Sequence, residues 1–91
     1  MPAALAKQAR IDLDTARAVA LKRVPHGTVR SEELEREHGK LIYSFDIEVP
    51  GKPGIEEVNV SAMSGKVIGM HHESAQTERR EAAQERHPPL L

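Results

Sequence analysis

The chain has no cysteine and no tryptophan, and it has a single Tyr and a single Phe. Without cysteine there is no disulfide framework, no thiolate zinc site and no cysteine nucleophile. With so few aromatics, the core has to be built from small and branched aliphatic side chains. No apolar run is long enough to span a bilayer, so no membrane insertion is expected. Neither sign of charge dominates: 13 Lys and Arg stand against 14 Asp and Glu, a formal net charge of -1. A basic stripe is the usual footprint of nucleic-acid binding, and none is visible, so nucleic acid is not an expected partner. There is no Gly-rich phosphate loop, because residues 50–54 have no following helix to hold an anion.

What is present suits one small domain with tails. The chain is 91 residues long, 38% hydrophobic and 30% charged. The most informative stretch is residues 34–49. Leu41, Tyr43, Phe45, Ile47 and Val49 alternate with Ser44, Asp46 and Glu48, the mark of a half-buried strand, with Ile42 as the exception. His38 and Gly39 sit where a tight hairpin turn is needed, and Gly39 can take a positive φ.

Residues 1–10 are Ala-rich and are expected to be weakly ordered. Ile11 precedes Asp12, a candidate N-cap, with Asp14 in the first helical turn. Leu13, Ala16, Ala20 and Val24 recur at helical spacing, with Leu21 adding to the stripe and Arg17 beside it. Pro25 and Gly27 end this helix. Residues 28–36 read as a first strand, with a bulge near 31–33 to bring Val29 and Leu34 onto one face. Residues 56–61 and 66–71 read as two more strands around a turn at 62–65. The expected fold is α+β: one helix packed on an antiparallel sheet of about four strands, the far sheet face polar. The organisation is a loose segment 1–10, a domain 11–72 and a polar helical or disordered tail 73–91.

Four pieces, in this order and spacing, resemble a PepSY domain. Ile11-Asp12-Leu13-Asp14-Thr15-Ala16 opens the helix, and Val24-Pro25-His26-Gly27-Thr28-Val29 leads into the first strand. Residues 34–43 form the hairpin. Glu57-Val58-Asn59-Val60-Ser61-Ala62-Met63-Ser64-Gly65-Lys66-Val67 resembles the closing hairpin, with Ser61 where the family more often has Asp and Ser64 where it more often has Thr. PepSY domains occur in propeptides of secreted metallopeptidases, in a spore-cortex regulatory protein, in membrane-anchored bacterial proteins and as small exported proteins. The resemblance implies a non-catalytic binding module, not an enzyme, with no cofactor and a peptidase as protein partner. It also implies a periplasmic or secreted location. Residues 1–6 are too short and lack the apolar core of a signal peptide, so an export signal is expected to have been removed.

Candidate site residues follow. Glu35, Glu37, His38, Lys40 and Tyr43 of the first hairpin are the expected partner-binding set. His71 and His72 are the weak metal candidates, with His38 as a third donor from the other hairpin. Adjacent strand residues leave opposite faces, which argues against His71 and His72 sharing an ion. The carboxylates of Glu32, Glu33, Glu35, Glu37, Asp46 and Glu48 would offer acid–base chemistry only if one were buried, and their alternation fits a solvated face instead. Ser44, Ser61 and Ser64 have no His–acid partner set. Metal or small-ligand sensing through His71 and His72, and a protein–protein adaptor of the cell envelope, are the alternative functions.

Overall fold

The computed structural model describes residues 1–74. Helix α1 spans Ala3–Ala6 and α2 spans Leu13–Arg23. Strands β1 (Thr28–Glu37), β2 (Lys40–Glu48), β3 (Ile55–Ser61) and β4 (Val67–Glu73) follow. They form one antiparallel sheet in the order β1-β2-β3-β4. The expected tail, from residue 75 on, lies outside the described residues.

Helix α2 starts where its capping chemistry dictates. The Asp12 carboxylate accepts the Thr15 amide at 2.7 Å, and Asp14 sits in the first turn near the positive end of the helix dipole. Lys22 and Arg23 occupy the last turn. Pro25 drives Val24 out of the helical region, to φ -129 and ψ 80. The sharp exit falls on His26, whose φ is 66, and not on Gly27 as the sequence pattern predicts. Gly27 serves a different need. A Cβ there would overlap the Ile47 methyl and come within 2.9 Å of the Val24 carbonyl, so only glycine lets the chain pass this close to the sheet.

The expected stripe is the stripe that is buried. Ala16, Ala20 and Val24 lie against Tyr43, Phe45, Ile47, Val58 and Val60, with Leu13 and Leu21 at the margin. Phe45, Ile47, Val58 and Val60 are the largest fully buried side chains. Alanine at the contact lets α2 approach β2 and β3 closely. The β1 bulge does form, but between Val29 and Ser31, slightly earlier than residues 31–33. It puts Leu34 opposite Tyr43 on the core face.

Two further features depart from the sequence pattern. The segment before Ile11, expected to be weakly ordered, holds α1, and Leu5 and Ala9 pack on the core. Ala62, read as a turn residue, is fully buried. Its carbonyl accepts the amides of Arg10 and Ile11, each at 2.9 Å, and its own amide donates to Leu41 at 2.9 Å. A single alanine thus ties the N-terminal segment, β2 and the β3–β4 turn together.

Candidate functional site

The hairpin between β1 and β2 ends in a two-residue turn. His38 and Gly39 have φ values of 51 and 78, two successive left-handed residues, and Glu37 pairs with Lys40 across them. This matches the twist of the flanking strands and makes the tip stiff. His38 and Lys40 are exposed, as is Glu37, and Glu35 is half-buried one pleat below. Four of the five expected contact residues therefore sit together at one end of an edge strand and its neighbour.

Tyr43 does not join them. It is 3% exposed, and its hydroxyl donates to the Ile11 carbonyl at 2.7 Å. It points to the core face beside Phe45, with ring centroids 6.4 Å apart. The same alternation that makes β2 amphipathic puts Tyr43 on the opposite face from Ile42, so it holds the domain together and leaves the contact set.

The acidic run divides between the two faces. Glu32 turns toward α2, where both carboxylate oxygens accept from the Arg17 guanidinium, one of them at 3.0 Å. Arg17 also reaches Asp14 at 2.8 Å. The two carboxylates hold its pKa above the ordinary arginine value, Glu32 more than Asp14. Glu33, Glu35 and Glu37 lie on the other sheet face, opposite Ser44, Ile42 and Lys40. Partial burial raises the Glu35 pKa, and Glu33, Glu37 and Glu57 raise it further. The sequence pattern did not connect Glu57 with this group, because only the β2–β3 register brings β3 under it.

That outer face is not uniformly polar. Ile42 is 3% exposed there, with Glu35 and Ser61 as cross-strand neighbours. A shallow cavity of about 180 Å³ brings it together with Ile68, Gly69, His38 and His71. His38, the added donor of the metal reading, thus shares a surface with His71. His72 does not: it hydrogen-bonds Glu56 on the opposite face, while His71 pairs in register with Glu57. Among the described residues, no three His, Asp or Glu side chains are gathered to hold a metal ion.

Among the described residues, the hydroxyls of Ser31, Ser44, Ser61 and Ser64 are hydrogen-bonded to carboxylates or backbone amides and to no histidine. Several polar contacts on this sheet are cross-strand pairs: Arg30 to Glu48 at 3.0 Å, Ser31 to Asp46 at 2.9 Å and Ser44 to Glu57 at 3.4 Å. No helix among the described residues is long and apolar enough to cross a membrane. The described residues thus form an α2 helix on a four-stranded meander, with a charged hairpin tip at one end.

The family model of the peptidase propeptide and YPEB domain, PepSY, matches residues 10–71. The chain belongs to the PepSY family, as the opening helix and closing hairpin imply. PepSY domains are generally peptidase-regulatory or inhibitory modules, typically without catalytic activity of their own. No curated protein and no solved structure matches the chain.

Proposed function

We propose that this domain docks on a peptidase outside the cytoplasm and restrains it, acting in the periplasm or as a secreted protein. The tip of the β1–β2 hairpin is the contact, through Glu35, Glu37, His38 and Lys40. One observation carries this reading. The tip is a stiff turn with two left-handed residues, and it projects ionisable side chains from the edge of a well-packed sheet. Little ordering entropy is lost when such a loop docks. The β1 edge also offers backbone groups to an extended segment of the partner. Family membership supports a peptidase as the class of partner.

The test is a titration of the purified domain into the secreted and periplasmic peptidase activity of the cell that makes it. Dose-dependent inhibition is the expected result. No inhibition at large molar excess would remove the peptidase from the account.

A further inference from the structure

The two turns at one end of the sheet, His38–Gly39 and residues 62–65, flank an open cleft of about 480 Å³. Its lining is chemically uneven. Leu41, Met63 and Ile68 form an apolar wall, and Met63 and Ile68 are 43% and 46% exposed. Arg36, Lys40, Ser61 and Ser64 supply most of the polar part of the lining, with Gln8. No carboxylate lines it among the described residues, although the sequence has more acids than bases.

Neither cation is ion-paired among the described residues, although Glu37 stands opposite Lys40 in register. Arg17 and Arg30 are each ion-paired with a glutamate. Arg36 instead donates to the neutral side-chain oxygen of Gln8. That bond uses one of its five N–H groups. Lys40 has no ion pair among the described residues.

The serines add hydroxyl donors. The Ser61 hydroxyl oxygen accepts the amides of Met63 and Ser64, at 3.2 and 3.1 Å. Both lone pairs are then engaged, and only its O–H remains to offer. Ser64 Oγ accepts the Lys66 amide at 3.2 Å and also keeps its proton. A cleft with two cations, two hydroxyl donors and an apolar wall is matched by an anion attached to an apolar body.

We infer that this cleft binds the free C-terminal carboxylate of a peptide ending in an aliphatic residue, the kind of end that endopeptidase cleavage leaves. The carboxylate lies between Arg36, Lys40 and the Ser61 hydroxyl. The terminal side chain lies on Leu41, Met63 and Ile68. The site stands on its own geometry and does not need the hairpin to contact a peptidase.

The test is calorimetric titration of the full chain with N-acetyl-Ala-Ala-Leu, its C-terminal amide and N-acetyl-Ala-Glu-Ala amide. The free acid is expected to bind, and the amide to bind about tenfold or more weakly, since a charge-assisted contact is lost. The internal glutamate peptide is expected to bind as weakly as the amide. Arg36→Gln with Lys40→Gln, both at exposed positions, should weaken the free acid about tenfold while leaving the melting temperature close to that of the wild type. Equal binding of acid and amide would overturn the proposal, as would full-strength binding of the glutamate peptide. The absence of any heat up to millimolar peptide would also overturn it. The peptide comparison uses the wild-type chain alone, so it decides even if the double variant folds poorly.

Discussion

The Tyr43 hydroxyl donates to the Ile11 carbonyl at 2.7 Å, joining the middle of β2 to the residue just before the α2 cap. The only tyrosine of the chain is thereby the pin between sheet and helix. Burial, with the Asp12 carboxylate as the smaller cause, holds its pKa above the ordinary tyrosine value.

Tyr43→Phe keeps the ring packing and removes the pin. Leaving the carbonyl without its donor is expected to cost about 1–1.5 kcal/mol, or about 5–10 °C in melting temperature for a domain of this size. Amide exchange at Arg10 and Ile11, which donate to Ala62 beside the pin, should quicken. An unchanged melting curve would mean that Tyr43 contributes packing alone.

Gly39 and Gly27 separate two uses of glycine. Gly39 has a positive φ and open space around its Cα, so Gly39→Ala carries only the left-handed backbone penalty, about 1–2 kcal/mol. Gly27→Ala drives a methyl into the fully buried Ile47 and the Val24 carbonyl, and overpacking of that kind costs about 1–3 kcal/mol with further displacement of α2. Denaturant unfolding should rank Gly27→Ala as the more damaging. Gly39→Ala should preserve the slope of the transition. The reverse ranking would contradict the packing described for the α2–β1 connection.

Glu35 gives a pH signature with a definite sign. Its folded-state pKa is raised, chiefly by burial and then by Glu33, Glu37 and Glu57. The protonated form is therefore the one the fold favours. Its contribution is full below the unfolded-state value and is lost as pH rises through the folded-state value. Glu35→Gln should match the wild type near pH 4 and become more stable toward pH 7, by about 0.5 kcal/mol or about 2–4 °C. A gap independent of pH would show that carboxylate crowding is not the cause.

Arg17 bridges α2 to β1 through Glu32 while also reaching Asp14. Its planar fork makes both contacts with Glu32, and a lysine ammonium cannot reproduce that geometry. Arg17→Lys is expected to lower the melting temperature and to leave what remains of the contact more sensitive to salt. Equal melting temperatures at low and high salt for both proteins would assign the site no net role in stability.

The strand and helix patterns were legible because they depend on local alternation and spacing. Tyr43, Phe45 and Ile47 announce the core face by period two, and Asp12 with Pro25 brackets α2. The misreadings come from contacts that spacing does not encode. Ala62 looks like any turn residue until Arg10 and Ile11 converge on its carbonyl. Glu32 looks like its acidic neighbours until Arg17 faces it from α2. Tyr43 is the exception: period two already sends its side chain inward, against its place in the expected contact set. Arg36 drew no notice because the cleft that it lines is flanked by two turns distant in the chain.

The most direct test of the peptidase-docking account is to compare the inhibition constant of the wild type with that of Glu35→Lys combined with Glu37→Lys, in one peptidase assay. Both positions lie on the outer sheet face, so the melting temperature of the variant serves as the control for folding. The account predicts inhibition by the wild type and a loss of about tenfold or more in the folded variant, since reversing charges in a contact turns attraction into repulsion. Equal inhibition by the two proteins would contradict the hairpin as the docking element, and no inhibition by either would contradict the peptidase as the partner.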